Sequence, residues 1–600
     1  MAQNVGDYLL QRLREWEVAK VFGYSGDGIN SLMASWYDAD NDPQFIEARH
    51  EEMAAFEATG YAKFSGRPGV CVATSGPGAI HLLNGLYDAK LDHVPVVAIV
   101  GQTNQTAMGG SYQQEVDLLS LYKDVAGAYV HMVTAPEQLP NVLDRAMRIA
   151  MAERTVTALI IPADVQELEY TPPEHAFKMV PSSLGVDWPS TAPEDDAIRR
   201  AADVLNDGEK VAILAGQGAR NAHEELIEVA NRLGAGVAKA LLGKDVLPDD
   251  LPFVTGAIGL LGTRPSWEMM RDCDTLLIVG SSFPYSQFLP EYDQARAVEI
   301  DVDAKFIGMR YPTEVNLVGD AAATLRALAG HLQPREDRSW RETIEKNVAD
   351  WWDTMQAQAD LDGDPVNPMR IFTELSARLP EDAIVSADSG SAANWYARHL
   401  KFTGEMRGSL SGTLATMGPG VPYAIGAKFA HPDRPAIAMV GDGAMQMNGL
   451  AELITIKRYW EQWSDPRLIV CVLHNNDLNQ VTWEMRAMSG SPKFLETQQL
   501  PDVDYAGFAE SLGLGVRTVT RDSDLGEAWD FALAADRPVV LDVHSDPNFP
   551  PIPPSATLDQ AVKSAKSLLQ GDPDRWDVIK QGVKTKAQEF LPGRQHNDKA

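Results

Sequence analysis

Short, continuously apolar runs recur along the chain, each ending in a glycine-bearing or polar turn and followed by a stretch of helical length. Examples are Val70–Ala73, Val211–Ala215, Thr275–Val279, Ala436–Val440 and Leu468–Leu473. Runs without polar alternation predict strands buried on both faces, as in parallel sheets covered by helices. The alternation holds from the N-terminus to about Asp164, is interrupted by a Pro- and Ser-rich stretch, and resumes from Asp195 to about Leu332. A charged, Trp-bearing helical connector follows over Pro334–Asp360, and the third alternating unit runs from Pro368 to Val543. These shifts predict units at 1–169, 195–333 and 368–549, a linker at 170–194, a connector at 334–367 and a helical tail at 550–600. In the tail, Trp576, Ile579, Val583, Ala587 and Phe590 fall on one side of a helix, with Lys580, Lys584 and Lys586 elsewhere, a pattern suited to a membrane surface, a partner or a lid on the protein's own core.

Composition narrows the class. Six hundred residues exceed what one core supports. No apolar run reaches the roughly 20 residues that span a bilayer, and Met1–Asp7 lacks a basic segment followed by an apolar one, so a cytoplasmic protein is expected, peripheral to a membrane only through its tail. The net charge of −32 disfavours nucleic acid, whose phosphates need clustered Lys and Arg. Three scattered cysteines, Cys71, Cys273 and Cys471, sit on or beside apolar strands and read as core packing rather than a disulfide framework.

The chemistry concentrates between residues 441 and 476. Gly441 and Gly443 allow a tight turn at a strand end, where open α/β sheets bind ligands, and Asp442 between them offers a hard carboxylate oxygen. After a helix at Leu450–Trp460, the Leu468–Leu473 strand delivers Asn475-Asn476. Magnesium takes about six oxygens in octahedral array, so Asp442, Asn476, a carbonyl near Leu478, two diphosphate oxygens and a water would complete one site. The insertion Tyr459–Asp465 reads as a surface bulge or subunit contact.

With these segments on the page, the chain resembles the thiamine-diphosphate enzymes, and the resemblance covers nearly its whole length. Arg49-His50-Glu51-Glu52 heads a helix expected at Met53–Phe64, and Glu51 matches the family's cofactor-activating glutamate. The turn Gly76-Pro77-Gly78, with His81 and Asn84 on the next helix, looks like the family's loop near the aminopyrimidine; Gln114 matches a further active-site position. Thr416-Met417 matches the segment whose bulky apolar side chain holds the cofactor bent, and Gly441, Gly443, Ala444 and Asn475 match its diphosphate site. The resemblance implies three consecutive doubly wound parallel-sheet α/β domains (pyrimidine-binding, central and diphosphate-binding), thiamine diphosphate and Mg2+ as cofactors, and a homodimer or homotetramer in which Glu51 of one subunit meets Asp442 of another. A carboxyl in an apolar cleft is favoured in its protonated form and can share that proton with a ring nitrogen, while the cofactor serves as electron sink for decarboxylation.

The middle unit is most similar to that of pyruvate oxidases, which implies FAD. Gly216, Gly218, Gly280, Ser282, Phe283, Asp301 and Asp320 are the matching positions, and the glycine turn after Val211–Ala215 suits backbone amides approaching a phosphate. The resemblance implies oxidative decarboxylation of pyruvate or a related 2-oxoacid with oxygen or quinone as acceptor, the alternative being a non-redox carboligase of the acetolactate synthase type with a structural flavin or none. Two departures add amides to the expected substrate pocket: Gln113 where the family usually has an aromatic, and Gln480 in the segment Asn479-Gln480-Val481-Thr482-Trp483-Glu484. A pocket of Gln113, Gln480, Trp483 and Glu484 would favour a reactant with more hydrogen-bonding groups than pyruvate, unless the two amides pair with each other or with water.

Overall fold

A computed structural model describes residues 3–170, 190–551 and 558–590, with 172 and 184. Most of the 170–194 linker, the proline run beyond Pro551, and the Lys586, Ala587 and Phe590 side chains lie outside the described residues.

Each of the three expected units contains one six-stranded sheet, parallel in every pairing. The first holds β1 (Lys20–Gly23), β2 (Gln44–Glu47), β3 (Gly69–Ala73), β4 (Val96–Gln102), β5 (Val130–Met132) and β6 (Val156–Pro162), in the order β2-β1-β3-β4-β6-β5. The second holds β7 (Val211–Ala215), β8 (Gly236–Lys239), β9 (Val254–Ala257), β10 (Thr275–Val279), β11 (Arg296–Asp301) and β12 (Val315–Val318), ordered β12-β11-β10-β7-β8-β9. The third holds β13 (Ile384–Ala387), β14 (Arg407–Ser409), β15 (Ala436–Gly441), β16 (Leu468–His474), β17 (Gly515–Val519) and β18 (Val539–His544), and its order β14-β13-β15-β16-β18-β17 repeats that of the first. The central order is the dinucleotide-binding arrangement, with its switch point between β7 and β10.

The first and third domains share one hydrophobic core. Phe56, Tyr61, Tyr423 and Phe429 belong to the same buried cluster, because the Glu51–Ser65 helix crosses the Gly420–Ala430 helix. The crossing needs glycine: a Cβ on Gly60 would come within 2.7 Å of the Tyr423 Cα, and one on Gly426 would overlap the Glu57 carbonyl. Lys63 adds a polar tie, bonding Asp92 at 2.7 Å and the Leu410 carbonyl at 2.7 Å. The expected bulge at Tyr459–Asp465 is corrected in part. Trp463 is buried and packs edge-on against Phe429 at 5.9 Å, so its side chain fills the shared core, while Glu461, Gln462 and Ser464 stay exposed on the surface.

The connector is the Ser339–Ala359 helix. The tail forms two helices, Leu558–Leu569 and Arg575–Phe590, and the Asp572 carboxylate between them pairs with buried Arg486 at 2.7 and 2.8 Å. All three cysteines are free and buried. Among the described residues no helix is long and apolar enough to cross a membrane.

Candidate active site

The Asp442 corner is built by sheet register. β15 and β16 are neighbours with Gly441 opposite Leu473, so the residues leaving both strands meet at the carboxyl edge. Asp442 Oδ2 accepts the Asn475 and Asn476 N–H groups at 2.8 and 2.5 Å, and Oδ1 accepts that of Gly443 at 2.9 Å. Asn476 takes a left-handed backbone (φ 54°), which asparagine tolerates better than most residues. Burial pushes the Asp442 carboxyl up to about 6, against the pull of those N–H donors. The Leu478 carbonyl accepts the Thr482 N–H at 3.0 Å with one lone pair, and Asn475 Oδ1 accepts the Asp477 N–H. Asn476 Oδ1 lies 2.9 Å from His474 Nε2. Burial alone would lower the His474 pKa, but the Asp542 carboxylate 2.8 Å from Nδ1 outweighs it and the net shift is upward.

Met417 reaches the same corner: its Cε would lie 3.3 Å from a Cβ on Gly443. Its loop hangs from Asp388 at the end of β13, whose Oδ1 and Oδ2 accept the Gly418 and Gly420 N–H groups at 2.9 Å each. Asp388 is fully buried, which raises its carboxyl to about 6. Ala444 is buried behind the turn. Thr416 Oγ1 accepts from Asn84 Nδ2 at 3.0 Å, joining this loop to the first domain.

In the first domain, His50 caps the Glu51–Ser65 helix by accepting the Glu52 N–H at 3.2 Å, which places Glu51 at the helix start, two residues ahead of the expectation. Glu51 is buried, and its Oε2 lies 2.9 Å from His81 Nδ1. The His50 and His81 rings are 4.4 Å apart, so two imidazoles and one carboxyl converge there. The Gly76-Pro77-Gly78 turn starts the helix bearing His81, and Ser75 Oγ beside it donates to Gln114 at 2.8 Å. Gln113 next door is exposed and has no bonding partner among the described residues. Asn84 donates to Glu52 at 2.5 Å, and Asn448 to Glu52 at 3.3 Å. The two half-sites thus adjoin through Glu52 and Asn84, while Glu51 bonds nothing in its own chain's third domain among the described residues.

The middle unit corrects one expectation. Gly216 N–H bonds the Val279 carbonyl, Gly218 N–H the Gly280 carbonyl and Gly280 N–H the Ile300 carbonyl, so none of these amides is open to a phosphate. The glycines instead let two backbones touch at the switch point, since a Cβ on Gly216 would overlap the Gly280 carbonyl. Asp320 caps the Ala321–Ala329 helix. Asp301 accepts the Asp303 N–H at 2.9 Å, and burial raises its carboxyl. Phe283 is buried beside Gly259. Ser282 lines a cavity of about 340 Å³ between domains, with Lys90 and His93 from the first, Lys305, Phe306 and Arg310 from the second, and Thr413 from the third.

The pocket residues are partly corrected as well. Gln480 Oε1 accepts from buried Asn394 at 2.7 Å, and its Nε2 donates to Glu484 at 3.0 Å, so this amide is satisfied inside the protein. Trp483 is buried, its indole N–H on the Pro547 carbonyl at 3.2 Å. Asp388, Asn394, His474 and Asp542 are site residues that sequence reasoning missed. Only Asp388 carried a local signal, an acid at a strand end before Ser389-Gly390.

A dinucleotide-type domain between two matching α/β domains, with an Asp-Asn corner at one sheet end and a helix-heading glutamate at the other, defines a thiamine-diphosphate enzyme. The comparisons agree. Residues 3–121 match the N-terminal thiamine pyrophosphate binding domain of the thiamine pyrophosphate enzymes, 198–328 their central domain and 388–543 their C-terminal binding domain. Similar proteins include a putative thiamine pyrophosphate-containing protein, YdaP, of Bacillus subtilis (36% identical, 95% of this chain and 96% of that protein). A pyruvate oxidase of Lactiplantibacillus plantarum is 29% identical (94% and 92%), and a probable acetolactate synthase large subunit of Methanocaldococcus jannaschii 31% (95% and 97%). The chain belongs to the thiamine pyrophosphate enzymes, within the acetolactate synthase-like superfamily.

Proposed function

We propose that the protein oxidatively decarboxylates pyruvate or a related 2-oxoacid with thiamine diphosphate, Mg2+ and FAD. The observation that carries the flavin is the cavity at the carboxyl end of the central sheet: it joins all three domains, and although Glu153 also lines it and Lys90 and Lys305 pair with Asp124 and Asp303, Arg310 has no ion pair among the described residues and offers a cation to a diphosphate. The Asp442 corner fits a metal diphosphate, because Asp442 is buried, Asn476 adjoins it, and Gly443 leaves room beside Met417.

Bound thiamine diphosphate supplies the electron sink for decarboxylation and bound FAD the two-electron acceptor. The protein's own part is positional. Asp442, Asn476 and the Leu478 carbonyl hold the metal. Met417, fixed through Asp388, would pack against the bound cofactor. Glu51 shares a proton with the pyrimidine nitrogen while His81 fixes the carboxylate's orientation, and Gln114, tied to Ser75, faces the same pocket. Glu51 works opposite Asp442 of a second copy, in a homodimer or homotetramer.

The tail offers exposed Leu569, Trp576 and Val583 with Lys580 and Lys584 nearby, which supports peripheral contact with a membrane that carries a quinone acceptor. A truncation should keep Asp572 and Asp574, which neutralise Arg486. Removing 575–600 should then weaken liposome binding; unchanged binding rejects the membrane role.

The acetolactate synthase relative, as similar as the pyruvate oxidase, favours a carboligase as the second reading. One experiment separates them. The oxidase reading requires a yellow protein whose flavin bleaches when the 2-oxoacid is added anaerobically, and only when thiamine diphosphate is present. Flavin that stays oxidised while carbon–carbon ligation products accumulate would replace the oxidase with the carboligase.

A further inference from the structure

His474 ends β16 one residue before the asparagine pair, in a position where its ring is fully enclosed: its side chain is 1% exposed. Strand register explains its neighbours. His474 lies opposite His544 on β18 and Val472 opposite Asp542, so the Asp542 carboxylate comes to 2.8 Å from Nδ1. The His544 ring is 4.3 Å away and the Tyr505 ring meets the imidazole edge-on at 4.9 Å. On the other side, Nε2 lies 2.9 Å from Asn476 Oδ1 and 3.1 Å from exposed Asp502. Tyr505 is itself tied to the metal corner, its hydroxyl donating to the Asp442 carbonyl at 3.3 Å.

An amide oxygen carries two lone pairs. A ring nitrogen that hydrogen-bonds the side-chain amide fixes its rotamer, and an asparagine so held presents its oxygen to a metal without losing rotamer freedom on binding. Outer groups of this kind commonly change metal affinity 10- to 100-fold. The structure supplies such a partner in a ring that cannot turn, since Asp542 holds the far nitrogen and Tyr505 and His544 enclose the faces and edge.

We propose that Asp542 and His474 are positioning residues that hold Asn476 Oδ1 aimed at the diphosphate-bound metal. This rests on the thiamine diphosphate and Mg2+ reading of the Asp442 corner. The chain of contact runs from a carboxylate on β18, through an imidazole on β16, to the amide after it, and none of the three is exposed enough to be replaced by bulk water without cost.

The test uses full-length apoprotein and follows tryptophan fluorescence as Mg2+ is titrated at fixed thiamine diphosphate, with the melting temperature measured alongside. His474→Leu should raise the Mg2+ needed for half-saturation by at least ~10-fold. His474→Gln, whose amide restores a hydrogen-bonding partner of similar reach, should recover most of that loss, and Asp542→Asn should fall between. A His474→Leu protein with lowered melting temperature but wild-type Mg2+ dependence would make the role purely structural and overturn the proposal. Should that variant fail to fold, an unchanged Mg2+ dependence in Asp542→Asn, which is expected to weaken Mg2+ binding, overturns it equally. A wild-type protein that binds thiamine diphosphate without any divalent cation would instead remove the metal reading beneath it.

Discussion

The first and third domains have the same strand order, yet opposite chemistry stands at their carboxyl edges. In the third, two adjacent strands converge so that Asp442 gathers the backbone of Asn475 and Asn476. In the first, the proposed working group is Glu51, held at a helix start by the His50 cap and faced by His81 from the next helix. A scaffold that recurs therefore determines where a site can form, and the loops determine what it does. The third domain's site is rigid because a carboxylate and backbone amides over-determine it. The first domain's Glu51 carboxylate is met by a side chain, His81, with no backbone N–H on it among the described residues, and the loop carrying Gln113 and Gln114 has left-handed backbone at Ser111 and Gln114.

The sharpest way to break this comparison is at the rigid end. Asp442→Ala removes a metal oxygen together with the acceptor of three backbone N–H groups, so calorimetry should show no Mg2+-dependent binding of thiamine diphosphate. Glu51→Gln should behave differently, binding the cofactor normally while losing at least ~10²-fold in turnover, because the amide keeps the shape but cannot relay the proton. Retained activity within a few-fold would remove Glu51 from the mechanism. If the two half-sites meet between copies, mixing these two inactive proteins should restore activity on subunit exchange, and an active strict monomer would rule the arrangement out.

Asp388 comes next in size. Asp388→Asn leaves one carbonyl oxygen where a carboxylate accepted from Gly418, Gly420 and Ser389. Hydrogen bonds to charged groups contribute about 1.5–3 kcal/mol each, so losing one should loosen the Met417 loop and raise the thiamine diphosphate Kd by about 10-fold or more. An unchanged Kd would mean that Met417 is positioned without this loop.

What was legible in the chain follows from the same contrast. Gly441-Asp442-Gly443, Asn475-Asn476, Gly76-Pro77-Gly78 and Glu51 are local, because each turn or helix start needs its residue types within a few positions. The apolar runs marked the sheets for the same reason. Asp388, Asn394 and the His474–Asp542 pair left little trace, since their meaning lies in pairings between segments as much as 86 positions apart. The glycines at 216, 218 and 280 were found but misread. A glycine that admits a ligand and one that admits another backbone look identical in sequence, and only the engaged amides distinguish them.

The two glutamines give the smallest effects and the finest test. Gln113 and Gln480 were expected to do the same work, one from each domain, yet the structure treats them differently. Gln480 has both ends of its amide engaged, by Asn394 and Glu484. Gln480→Leu therefore leaves the buried Asn394 amino group without that acceptor, and the cost should appear as about 1–3 kcal/mol of stability in denaturant unfolding, with little change in substrate preference. Gln113 is exposed on a loop with nothing to lose, so Gln113→Phe should leave stability unchanged. If its amide contacts the substrate, that replacement should shift kcat/KM toward pyruvate over more polar 2-oxoacids by about 1–2 kcal/mol. Finding the reverse, a selectivity change at 480 and a stability change at 113, would mean that the third domain reads the substrate and the first merely encloses it.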